Sequence, residues 1–160
     1  MKRTSAVITM TLMLSLLLLL FGCGGVGTQS DETAAEDAAA ESLVLLEVNG
    51  ETLEVELEDN KAAHALREMI GESGMELELE EYGGFEKVGP LPGELPASDE
   101  QMDVSPGDIV LYQGDQISLF YGENSWSYTR LGHVKDANGA QLQEILGDGD
   151  IHVKWIIKEK

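Results

Sequence analysis

The side chains best equipped for chemistry crowd into one stretch of this sequence: Tyr112, Phe120, Tyr121, Trp126, Tyr128, Arg130 and His133. Aromatic rings beside an arginine can line a pocket for a peptide or an organic anion, with the Arg130 guanidinium donating to a carboxylate or carbonyl. The competing reading makes most of these rings core or strand-pair residues. Arg130 is singled out by scarcity, because beyond Arg3 only Arg67 and Arg130 occur. The ligand-binding candidates are therefore Arg130, Tyr112, Tyr121, Trp126, Tyr128 and His133.

Other chemistries find less support. His64, His133 and His152 are far apart in sequence, and Asp148-Gly149-Asp150 lacks the liganding ladder of an EF-hand loop, so no metal or cofactor is expected. No serine sits in a nucleophile-elbow motif, although a convergent triad stays open at this level. No catalytic residue is assigned.

Cys23 is the single cysteine, which excludes an intramolecular disulfide. Its surroundings suggest a different role. Lys2 and Arg3 precede an uncharged run from Ala6 through Gly22, the layout of a signal peptide. At about 1.5 Å per helical residue, that run falls short of a hydrocarbon core of roughly 30 Å. Leu20-Phe21-Gly22-Cys23 resembles the bacterial lipobox, with Phe21 larger than the residue usual at that place. The resemblance implies cleavage after residue 22 and acylation of Cys23, hence an extracytoplasmic protein held at the cell membrane or outer membrane by lipid. Residues 24–42 are rich in Gly, Ala and acid and nearly devoid of large apolar groups; they read as a flexible tether.

Removing Lys2 and Arg3 leaves 8 basic against 30 acidic residues, a formal net charge of −22. Phosphate binding needs clustered Lys and Arg, so nucleic acid is excluded as a partner. An anionic lipid surface would repel the chain, leaving the acyl groups to hold it there.

Residues 43–160 suffice for one domain, and its elements must position the aromatic stretch. Leu43 to Val48, Asn49-Gly50, and Glu51 to Glu58 form the strongest short hairpin signal, with Leu53, Val55 and Leu57 on the buried face. Asp59 or Asn60 can cap a helix from Lys61 to Ile70 that ends at Gly71, with His64 and Arg67 off its apolar stripe and so at the surface. Met75 to Glu80 alternates as a third strand. Gly89-Pro90-Leu91-Pro92-Gly93-Glu94-Leu95-Pro96 is predicted to be irregular, either a cover over the core or a functional rim. Ile109–Tyr112 and Gln116–Tyr121 form a second hairpin, Trp126–Val134 a further strand, Asn138 caps a short helix, and Asp150–Ile157 ends the domain. Seven or eight strands and two helices leave open edges unless the sheet closes, which favours a small antiparallel barrel.

The segments from Asp59 to Leu66, Leu77 to Val88, Leu91-Pro92, Ser105-Pro106-Gly107-Asp108 through Tyr112, Leu119 to Tyr121 and Leu131-Gly132 are together similar to the bacterial cyclophilin-like domain family. Glu86-Lys87 and Ser-Pro-Gly-Asp are the most specific of these. The resemblance implies a mostly β fold, a closed eight-stranded antiparallel cyclophilin-like barrel with two short helices. It does not imply peptidyl-prolyl isomerase activity, because the Phe-His-Arg and Gln-Gly-Gly-Asp stretches of true cyclophilins are missing. The leading expectation is a non-catalytic tethered module that holds a peptide or small ligand at one barrel end or in the Pro-rich loop. The rivals are an isomerase or foldase acting on exported proteins, and a structural lipoprotein.

Overall fold

The computed structural model describes residues 43–158; the expected signal peptide, Cys23 and the acidic tether lie outside the described residues. The elements run β1 (Leu43–Val48), β2 (Glu51–Leu57), α1 (Lys61–Ile70), β3 (Met75–Tyr82), β4 (Glu86–Pro90), β5 (Glu100–Val104), β6 (Asp108–Tyr112), β7 (Gln116–Phe120), β8 (Asn124–Val134), α2 (Gly139–Leu146) and β9 (Ile151–Ile157). Among the described residues no helix is long and apolar enough to cross a membrane.

The local chemistry acts as anticipated in the first hairpin, where Asn49 and Gly50 adopt φ of 51° and 86° and Val48 pairs with Glu51. The Asn60 side chain accepts from the Ala63 N–H, and its amide donates to the Arg130 carbonyl at 2.8 Å, tying α1 to β8. α2 carries a full capping box between Asn138 and Gln141. Arg67 departs from expectation. It is half-buried, with Nη1 buried and unpartnered, because it lies one turn beyond the fully buried Ala63 on the same side of α1.

Eight antiparallel strands close into a ring in the order β2-β1-β9-β3-β4-β7-β6-β8, with β8 returning to β2, and β5 pairs with β8 outside the ring. Two strands had no sequence signal. β4 includes Gly89 and Pro90, expected to be irregular; Pro90 is tolerated because it is the last residue of the strand, opposite Gln116. β5 has a single partner and only Met102 and Val104 as apolar residues.

Closure depends on β8 serving three partners in succession. Its first half pairs with β5, Thr129 and Arg130 pair with β6, Gly132 and His133 pair with both β6 and β2, and Val134 pairs with β2. Ile109 faces Gly132 while Val110 faces Arg130, so Leu131 is an extra residue in a bulge that turns the strand. At Gly132 a Cβ would lie 2.6 Å from the Glu56 carbonyl oxygen, so only glycine lets β2 approach.

Ile109, Leu111, Ile117 and Leu119 point into the ring, with Leu66 and Ile70 of α1 and Leu142 and Leu146 of α2 in the same core. The Pro-rich loop adds Leu91 and Leu95, held by hydrogen bonds from their N–H groups to the Asp115 and Gly114 carbonyls. That loop is thus a cover over the core rather than an open rim. Val104, Val110, Phe120 and Tyr128 form a second, smaller cluster on the outer face, where β5 and the first half of β8 fold over β6 and β7.

Candidate functional site

The sequence-predicted residues divide among three places. Arg130 and His133 converge on Asp108, the acid of the Ser-Pro-Gly-Asp segment. Asp108 Oδ1 accepts from Arg130 Nη1 at 2.5 Å and lies 3.0 Å from His133 Nδ1, and Oδ2 accepts from the Ser105 N–H at 2.8 Å. Gly107 is needed there, since at φ 98° a Cβ would meet the His133 ring at 2.8 Å. The Gly107 N–H donates to the Phe120 carbonyl, and its own carbonyl accepts from Val134, which fastens the turn to β7 and β8. Asp108 is only 6% exposed, so its charge needs these partners. The arrangement holds Arg130 to Asp108 instead of presenting it to a ligand.

Tyr121 belongs to a second cluster, around Lys87 of the Glu-Lys segment. Lys87 is fully buried. Its Nζ donates to the carbonyls of Gly147 and Gly149 at 2.9 and 2.6 Å, pairs with Glu81 Oε2 at 2.6 Å and lies 5.6 Å from the Tyr121 ring centroid. The Tyr121 hydroxyl donates to Glu81 Oε1 at 2.5 Å. Burial pushes the Glu81 carboxyl up, but hydrogen bonds from Lys87 and Tyr121, the Lys87 charge and the Gly84 N–H together outweigh it and hold the group below the usual carboxylate range. The Tyr121 phenol is pushed well up, first by burial and then by Glu81. The ammonium at the end of α2 also meets the negative pole of that helix. This cluster locks α2 to β3 and β4. Sequence reasoning noted Glu86-Lys87 but read no role for the lysine, since an isolated Lys carries no sign of burial.

The remaining candidates, Tyr112, Trp126 and Tyr128, do meet. With Tyr82, Glu86, Val88, Gln116, Ser118 and Asn124 they line a cleft of about 410 Å³ on the outer face of the ring. Strand alternation explains the membership: Glu86, Val88, Ser118 and Tyr112 all point away from the ring core, and the β8 ribbon supplies a wall. The walls are organised by ring contacts. Tyr82 meets Phe85 edge-on at 6.1 Å, Phe85 stacks on Phe120 at 6.3 Å, and Tyr128 meets Phe120 and Tyr112 edge-on at 5.7 and 6.0 Å. The Asn124 amide donates to the Tyr128 hydroxyl at 2.9 Å, and that of Gln113 to the Tyr112 hydroxyl at 2.8 Å. Tyr82 and Trp126, 60% and 56% exposed, are the large hydrophobic side chains that the described surface leaves open, and both stand at this cleft.

Glu86 is 6% exposed on the cleft floor. Burial pushes its carboxyl up, a hydrogen bond with Ser118 opposes this, and the Glu81 charge adds to the rise. Tyr82 and Glu86 were missed in the sequence; the Phe85 and Glu86 alternation after a Gly-Gly turn was the signal that could have found them. A second depression, of about 600 Å³ between α2 and the first hairpin, is lined mainly by polar side chains and has no aromatic wall.

The chain matches the model of the cyclophilin-like family over residues 46–156. No curated protein matches it. Among solved structures it is similar to the hypothetical protein AF2241 from Archaeoglobus fulgidus, with a TM-score of 0.51, 17% identity, and coverage of 75% of this chain and 97% of that one. At that identity the likeness shows the fold alone.

Proposed function

The chain belongs to the cyclophilin-like family, and we propose that it is a lipoprotein, anchored through Cys23 on the extracytoplasmic side of a membrane, whose ring domain binds a peptide or small ligand without catalysing a reaction. The observation that carries the binding reading is the placement of Tyr82 and Trp126. Exposed aromatics are disfavoured on a surface as acidic as this one, and both of these rim the same cleft. The cleft volume, about 410 Å³, suits a small molecule or one or two side chains of a peptide.

The non-catalytic reading is supported by Arg130. An isomerase of the cyclophilin type needs a guanidinium free to donate to the substrate carbonyl, and here Nη1 is paired with Asp108 at 2.5 Å. The test is a thermal-stability screen of peptides and small molecules against the protein and its Trp126→Ser variant. Ligands that raise the melting temperature of the first and not of the second are expected. Proline-peptide isomerisation that disappears in Arg130→Ala would overturn the binding-only reading. Mass spectrometry of the mature N-terminus should find an acylated Cys23, and an unmodified Met1 terminus would overturn the anchoring.

A further inference from the structure

We infer that the outer-face cleft selects an organic cation, an ammonium or guanidinium group seated between the Tyr82, Tyr112 and Trp126 rings with Glu86 beneath it. The inference rests on the reading of this cleft as the ligand site and adds the chemistry of the occupant.

Four observations carry it. The walls are tyrosine and tryptophan rings, whose faces are electron-rich and attract a cation over the centroid. The acidic side chain among the lining residues is Glu86, 94% of whose surface is withdrawn from solvent, so a cation placed there would meet its carboxylate with little screening by water. Among the described residues no lysine, arginine or histidine lines the cleft. Arg130 lies two residues beyond Tyr128 on β8, but its guanidinium is held by Asp108 and by Met102 Sδ. An organic anion, one of the occupants the sequence suggested beside a peptide, would therefore meet a carboxylate and no donor charge. Finally, a formal net charge of −20 gives the whole surface a field that concentrates cations.

The remaining polar groups fit the same occupant. Gln116, Ser118 and Asn124 offer carbonyl and hydroxyl oxygens that accept from an ammonium N–H. Glu86 itself argues for use. A carboxyl buried on an outer face stabilises nothing that Gln would not, and it withdraws a charge from water. Such a residue reads as retained for a partner that compensates it.

The cation can come from a free small molecule or from a lysine side chain in a peptide, and the probes separate these. Calorimetric titration of the protein would compare choline with its uncharged carbon isostere, and an end-blocked lysine tripeptide with its norleucine counterpart, while tryptophan emission reports the site. Trp126 is 56% exposed and Trp155 fully buried, so an emission change on binding, lost in Trp126→Phe, places the probe in the cleft. At least one cation should bind about tenfold or more tighter than its neutral partner, and Glu86→Gln should reduce that preference to about threefold or less. Preference for choline assigns a free small-molecule cation; preference for the lysine peptide assigns a side chain. Equal binding of charged and neutral probes, or a preference that survives Glu86→Gln, overturns the cation inference while leaving the cleft as a binding site. Cation binding with no change in Trp126 emission overturns the cleft reading as well. If no probe binds, the cation inference falls, and the cleft then stands or falls by the stability screen with Trp126→Ser.

Discussion

Replacing Lys87 with Met removes the ammonium from a site with no solvent access and leaves a side chain of similar length. The carbonyls of Gly147 and Gly149 lose their donor, and a hydrogen bond from a charged group contributes roughly 1.5–3 kcal/mol, towards the low end here because both bonds are only part-buried. Glu81 loses its ion pair; its side chain is 27% exposed, but Oε2, the atom that Lys87 meets, is buried, so rehydration recovers only part of that loss. The Met side chain returns part of the loss by packing. The net expectation is a destabilisation of about 3 kcal/mol, a large fraction of the roughly 5–15 kcal/mol available to a domain. For a domain of this size that lowers the melting temperature by about 12 °C. Thermal and urea unfolding followed by far-ultraviolet circular dichroism at neutral pH measures it. A double-mutant cycle with Glu81→Gln should give a coupling of about 1 kcal/mol or more, because each variant strips the other's partner. A loss below about 1 kcal/mol for Lys87→Met, together with strict additivity in the cycle, would refute the view that Lys87 locks α2 to the ring.

Three further outcomes are expected. Glu86→Gln should stabilise the protein at neutral pH. The folded-state carboxyl is held above its ordinary value, so stability falls as pH rises through that raised range, and the advantage of Gln should shrink as pH drops towards 4.5; a variant less stable at pH 7 than the parent would contradict this. Gly132→Ala should cost about 2 kcal/mol or more by forcing β8 away from the Glu56 carbonyl, and amide exchange should accelerate at Glu58 and Lys135, whose N–H groups bond to Leu131 and Glu54 across the seam. Leu95→Ala should lower stability by about 2–4 kcal/mol in urea titration and expose the Pro-rich loop to protease, whereas a change under about 0.5 kcal/mol would mean that the loop does not cover the core.

The elements legible in the sequence were those set by neighbours within a few residues. Asn49-Gly50 had to turn because both residues take positive φ, Asn60 and Asn138 had to cap because their side chains reach the N–H three residues on, and Leu53, Val55 and Leu57 had to share a buried face because a strand repeats every two residues. The strand count and the resemblance together also pointed to closure, since open edges are costly. β5 was not legible, because a strand with one partner outside the ring needs no apolar alternation. Nor was the burial of Lys87, whose acceptors come from residues 60 and 62 positions away.

The candidate site divides along the same line. The sequence determined that aromatic residues would be dense between Tyr112 and Tyr128, and three of the chosen residues do share one cleft. Only the tertiary structure decided which chemistry accompanies them. The bulge at Leu131 and the pairing of Val110 with Arg130 bring that guanidinium within reach of Asp108, while the β3–β4 hairpin carries Tyr82 and Glu86 to the rings instead. Those juxtapositions are products of register between strands distant in sequence, where a shift of one residue exchanges the two faces, so no local pattern could specify whether an arginine or a glutamate would stand among the aromatics.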